Sequence, residues 1–132
     1  MDKQEESFEN YLASIIVDCC YHIHVGLGPG LLESVYEEVL FRELTDKGLK
    51  VERQKQLPVI WKGEILDLGF RTDLIVDNKV IIEIKSVLEI HPVYKKQLMT
   101  YLKLSGLKLG LLVNFNSPLI KTGITRLVNG LE

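Results

Sequence analysis

Asp73 and the run Glu83-Ile84-Lys85 bring two acids and one amine into two short, otherwise apolar segments. In an extended strand residues i and i+2 share a face, so Glu83 and Lys85 point the same way. Asp73 joins them only if the intervening loop has three residues, Asp77 to Lys79, because Val76 then pairs with Val80 and Asp73 stands opposite Glu83. A two-residue loop pairs Val76 with Lys79 and sends Asp73 to the other side. The hydrophobic pattern decides. The three-residue loop leaves Leu74, Val76, Val80, Ile82 and Ile84 as one wholly apolar face. Burying such side chains at roughly 1.5–3 kcal/mol each outweighs the preference of hairpins for two-residue turns. One face then collects Asp73, Ile75, Ile81, Glu83 and Lys85.

Two carboxylates opposite each other on adjacent strands repel, and the pair responds by raising one pKa or by binding a cation. The donor set is hard, oxygen-only and incomplete, which suits Mg²⁺ or Mn²⁺ rather than Zn²⁺ or a closed Ca²⁺ cage. Lys85 is placed to orient or deprotonate an attacking water and to stabilise charge on an attacked phosphate. The competing reading is a solvated strand face with cross-strand ion pairs, worth only ~0–1 kcal/mol each. Against it, Glu83 and Lys85 interrupt a strand that is otherwise interior in character, and buried charges seldom occur without partners.

The elements that must hold these groups follow from periodicity. Phe8, Leu12, Ile15, Ile16, Cys19 and Ile23 mark an amphipathic helix over residues 5–23, and Leu32, Val35, Tyr36, Val39, Leu40 and Leu44 mark a second that ends at Gly48. Glu33 and Glu37 flank the second stripe, four apart. From Val51 the period becomes two, with a turn at Lys62-Gly63, so a three-strand meander runs to Lys85. Continued parity puts Leu57, Val59, Trp61, Leu66, Leu68 and Phe70 on the apolar side and Arg71 on the side of Asp73. His91-Pro92 opens a third helix that ends at Gly106. Leu109 to Val113 reads as a buried strand, central and parallel to a neighbour, and residues 123–128 as an edge strand. The order α-α-β-β-β-α-β-β predicts an α/β fold, a mixed β-sheet flanked by helices, in one domain over residues 1–132.

Composition sets the bounds. With 132 residues, 46% hydrophobic and 26% charged, the chain is an ordinary globular domain that needs no disulfide or metal to build its core. No apolar run approaches the ~20 residues of a membrane span, and residues 1–6 lack the basic start and apolar stretch of a signal peptide, so a cytoplasmic protein is expected. Cys19 and Cys20 are read as reduced packing residues. Net charge is −2, but residues 1–48 carry ten acids and three bases (3 − 10 = −7), leaving eight acids and thirteen bases in residues 49–132 (13 − 8 = +5). The second part has the charge to offer a polyanion a face, though uneven solvated charge is the plainer reading. His22 and His24, two apart, share no helical face. Gly26, Gly28 and Gly30 lack the lysine and hydroxyl residue of a phosphate loop.

Asp73 with Glu83-Ile84-Lys85 across a hairpin, after a helix carrying a glutamate and before a helix and strand, resembles the PD-(D/E)XK nuclease superfamily. Gly30-Leu31-Leu32-Glu33-Ser34-Val35-Tyr36 is similar to the motif that names its GxxExxY branch. The likeness runs from about Ile23 to Asn129. It implies a restriction-endonuclease-like core and metal-dependent hydrolysis of nucleic acid, DNA above RNA. By position it makes Asp73 and Glu83 metal-binding acids, Lys85 the catalytic lysine and Glu33 the helix glutamate of the metal site. Gln97 and Tyr101 resemble the Gln-xxx-Tyr element that helps place lysine and nucleic acid, and Tyr36 is a core aromatic under Glu33. The superfamily's proline is missing, since Arg71-Thr72 precedes Asp73. Arg71, Lys95, Lys96 and Lys103 are candidates for phosphate contacts, each weighed against ordinary surface charge. The alternative function is a catalytically inactive nuclease fold that binds nucleic acid or a protein. So small a domain has little surface for selecting a sequence, which points to a homodimer or a protein partner.

Overall fold

A computed structural model describes residues 7–131; residues 1–6, on which the reading of the amino terminus rests, and the side chain of Leu68 lie outside the description. Two helices, α1 (Phe8–Leu27) and α2 (Glu33–Asp46), precede strands β1 (Val51–Trp61), β2 (Glu64–Val76) and β3 (Val80–Lys85). Then come α3 (Pro92–Ser105), β4 (Leu109–Asn114), a single turn α4 (Ile120–Gly123) and β5 (Ile124–Val128). The sheet order is β1-β2-β3-β4-β5, antiparallel except for the parallel pair β3–β4. This is the mixed sheet with flanking helices expected from the sequence, with α4 as an addition that four residues were too few to announce.

Both faces of the sheet are covered. Leu74, Val76, Val80, Ile82 and Ile84 pack with Leu109, Leu111 and Val113 under α1 and α2 in the main core. Ile75, Ile81 and Leu112 point the other way, into a smaller cluster closed by Leu98 and Leu102 of α3. Every residue of β4 is buried, as its unbroken apolar run requires of a strand covered on both faces. Cys19 and Cys20 are free thiols in the core.

The β2–β3 loop has the three residues that the pattern demanded, with Val76 paired to Val80, Ile75 to Ile81 and Leu74 to Ile82. Asp77 and Asn78 take left-handed φ values of 48° and 59°, a conformation that Asp and Asn tolerate best after glycine. Asp77 also ties the loop to the start of β1, donating its N–H to the Lys50 carbonyl (2.7 Å) and accepting the Lys50 N–H on Oδ1 (2.9 Å).

Parity fails further back along β1 and β2. Gln54 has φ 49°, and neither it nor Asp73 forms a ladder pair, although Arg53↔Leu74 and Lys55↔Thr72 do on either side. A left-handed residue inside a strand rotates the residues after it. Leu57 therefore packs with the α3 cluster and Phe70 stacks on Tyr101 of α3, opposite to the face predicted for them. The register shifts again between Pro58 and Ile60, and beyond it Trp61 is 65% exposed and Leu66 37%.

Tyr36 is fully buried and its ring lies 4.4 Å from that of Phe115, nearly parallel. Its hydroxyl donates to the Gly28 carbonyl (2.6 Å) and accepts the Leu31 N–H (3.1 Å), clamping the loop that enters α2. Tyr36→Phe keeps the stack and leaves both loop groups without a partner. We expect urea unfolding to show a loss of about 1–3 kcal/mol; a loss below experimental error would show that the loop does not depend on the hydroxyl.

Candidate active site

β3 carries Glu83 into the interior, where it is 7% exposed and lies opposite Leu112 of β4. The backbone pairing of β2 with β3 ends at Leu74↔Ile82. Beyond it side chains link the two strands. The Asp73 N–H donates to Glu83 Oε2 (2.7 Å), and the Ile84 N–H donates to Asp73 Oδ2 (2.8 Å). Each carboxyl group thus accepts a backbone N–H from the facing strand, and the two acids are pinned beside each other.

Burial and the neighbouring Asp73 charge push the Glu83 carboxyl up to about 8, against the pull of the Asp73 N–H and of Lys85; the charge of Glu37 adds to the rise. The site therefore holds a proton at neutral pH where two negative charges would otherwise meet. Oxygen-only donors with an excess of negative charge fit a small hard divalent cation, which would relieve the same repulsion.

Glu37 was seen in the sequence only as a flank of the helical stripe. Within α2 it is buried and anchored from β1: Arg53 Nη2 donates to its Oε2 (3.1 Å) and Gln54 Nε2 to its Oε1 (2.7 Å). Arg53 also pairs with Glu38 (2.7 Å), which holds Arg42 (2.6 Å). The Gln54 amide reaches on to Asp73 Oδ1 at 3.4 Å, so the left-handed turn of the strand joins the helix acid to the strand acid. Glu33 stands one helical turn away from Glu37, exposed, in a cleft of about 470 Å³ shared with Gly30, Leu31, Ser86 and Asn116. Among the described residues no three His, Cys, Asp or Glu side chains gather into a group able to hold a metal, so Glu33 does not close a triad with Asp73 and Glu83.

Lys85 is half-buried and pairs with Asn114 of β4. Its Nζ sits 4.4 Å from the centre of the Tyr94 ring. Asn114, buried, fixes the chain just past the lysine: its Oδ1 accepts the Val87 N–H (3.1 Å) and its Nδ2 donates to the Val87 carbonyl (3.0 Å).

On α3, Lys96, Gln97 and Tyr101 line an open cleft of about 430 Å³ with Val93, Tyr94 and Thr100. Tyr101 stacks on Phe70 at 4.3 Å, and its hydroxyl is held above its ordinary pKa by burial and then by the charges of Glu83 and Asp73. Arg71, exposed on β2 opposite Gln56, lies outside that lining. His22 faces Asp18 at 3.4 Å and His24 meets the Ser117 carbonyl at 2.8 Å, both away from the acids.

A comparison with curated proteins returns no match. Similar to the chain is a solved structure described as the crystal structure of SSO0001, at 17% identity and a TM-score of 0.47, covering 95% of this chain and 81% of that one. A family model described as the PD-(D/E)XK nuclease superfamily matches residues 10–127, which span the acid pair, the lysine and all the elements that carry them. The mixed sheet, its flanking helices and this match agree: the chain has the α/β restriction-endonuclease-like fold and belongs to the PD-(D/E)XK nuclease superfamily.

Proposed function

We propose that the chain is a nuclease of the GxxExxY branch, acting as one domain over residues 1–132, that hydrolyses phosphodiester bonds in nucleic acid, DNA first, with Mg²⁺ or Mn²⁺. Members of the superfamily are typically dependent on a divalent metal. The observation that carries the reading is the pair of carboxyl groups, Asp73 and Glu83, that bind each other's strand through backbone N–H groups just where the pairing of β2 with β3 ends, with the Glu83 carboxyl pushed up to about 8. A strand pair built for stability alone would continue its backbone pairing there rather than bury one acid beside another.

Asp73 and Glu83 would hold the cation. When bound, it would supply positive charge that polarises the phosphate and eases deprotonation of water. Lys85 orients the attacking water and offsets negative charge that develops on the phosphate oxygens. Glu33 takes the helix-glutamate role from the motif spacing, through a water rather than as a direct ligand, and Glu37 is the acid that holds Gln54 against Asp73. Gln97, Tyr101 and Lys96 contact the nucleic acid along α3, with Arg71 on β2. No described helix is long and apolar enough to cross a membrane. A cytoplasmic site of action, and a second copy or protein partner that extends the contact surface, complete the proposal.

The test is direct. Purified protein is incubated with supercoiled plasmid, linear single-stranded DNA and RNA, with Mg²⁺, Mn²⁺ or EDTA. We expect nicking with either metal and none with EDTA. Binding that EDTA leaves unchanged, without cutting under any condition, would establish the inactive binding module instead.

A further inference from the structure

Lys85 lies near Glu83 and forms no ion pair with it or with Asp73. Among the described residues it forms no ion pair within 4.0 Å, although its charge is close enough to favour the ionised form of Glu83. The amine rests instead over the face of Tyr94, 4.4 Å from the ring centre. That ring is firmly mounted. Tyr94 lies in the first turn of α3, with its N–H on the His91 carbonyl (3.0 Å), while the His91 Nδ1 accepts the Val93 N–H (3.1 Å) and the His91 ring stands edge-on to it at 6.4 Å. Its side chain packs with the cluster of Ile75, Ile81, Leu98, Leu102 and Leu112.

An aromatic face attracts an ammonium group without taking a directed hydrogen bond from it. The alternative is costly for a cation site. A lysine tethered two residues from Glu83 has a high effective concentration there, and an ammonium between the two acids would satisfy the charge that a divalent ion must satisfy. We propose that Tyr94 is a positioning residue that holds the Lys85 amine off the Asp73–Glu83 pair and so keeps the pair open to a divalent cation. This role rests on the metal-dependent function proposed for the site. Lys85 then reaches the substrate side of the pair from a position it does not have to leave.

Mn²⁺ titration of the purified chain by calorimetry tests this, alongside NMR of the Lys85 ε-methylene protons. In the wild type those protons resonate upfield through the ring current of Tyr94. Tyr94→Leu removes that shift and weakens Mn²⁺ binding about tenfold, the equivalent of about 1.4 kcal/mol. Tyr94→Phe keeps both, and the double variant Tyr94→Leu/Lys85→Met binds Mn²⁺ as tightly as the wild type. Unchanged Mn²⁺ affinity in Tyr94→Leu, or no ring-current shift in the wild type, overturns the proposal. A wild type that shows the shift but binds no Mn²⁺ overturns the metal-dependent reading itself, and this role with it.

Discussion

Lys85→Ala is expected to lower metal-dependent DNA cleavage by a factor of about 10²–10⁴ while leaving the chain folded and its Mn²⁺ affinity equal or higher. The amine projects from the last residue of β3, and its strand is held by pairing to Asn114 and by the Asn114 bonds to Val87, so the backbone around it does not depend on the side chain. The substitution removes a positive charge at the reacting phosphate and a donor to water. Lys85→Arg is expected to restore little, because a guanidinium, although it stacks on an aromatic face, is bulkier than an ammonium, spreads its charge over a planar fork and cannot give up a proton. Single-turnover cleavage at saturating DNA reads the chemical step. If Lys85→Ala cuts as fast as the wild type, Lys85 has no part in the reaction.

The second large effect concerns pH. The folded-state pKa of Glu83, about 8, lies above its ordinary value of 4.5. The native chain therefore binds a proton more tightly than the unfolded chain does. The stability from that proton is complete below about 4.5, declines as pH rises, and is lost once pH passes about 8. The amount at stake is on the order of 3–5 kcal/mol. Glu83→Gln removes this titration, and its side-chain carbonyl still accepts the Asp73 N–H. Urea unfolding in EDTA is expected to give matching stabilities for variant and wild type at pH 5, and a variant more stable by a few kcal/mol at pH 9. Parallel stability curves from pH 5 to 9 would mean that Glu83 is not a strained acid.

The hairpin that carries the acids was legible because only one loop length keeps five aliphatic residues on a single face, and β2–β3 adopts it. The buried β4 and the limits of α3 were legible for similar reasons, an unbroken apolar run and a His-Pro start with a glycine stop. The outer half of the meander was not. Its alternation turns over at Gln54, whose left-handed backbone has no signature in a glutamine codon and is held by contacts 17 and 19 residues away, to Glu37 and Asp73. The same limit hid Glu37. Glu33 and Glu37 occupy one helical face, and which of them enters the interior depends on where Arg53 arrives from β1, a long-range fact. Tyr36, named by spacing alone, proved to be the brace of the loop before α2.

Because the two acids accept backbone N–H groups, the amide hydrogens of Asp73 and Ile84 are wired to the ionisation of the centre. Their NMR frequencies and exchange with deuterium should track whether that centre carries a proton, two charges or a captured ion. The strand pairing thus doubles as a gauge of the pocket, readable in a resting molecule with no oligonucleotide present.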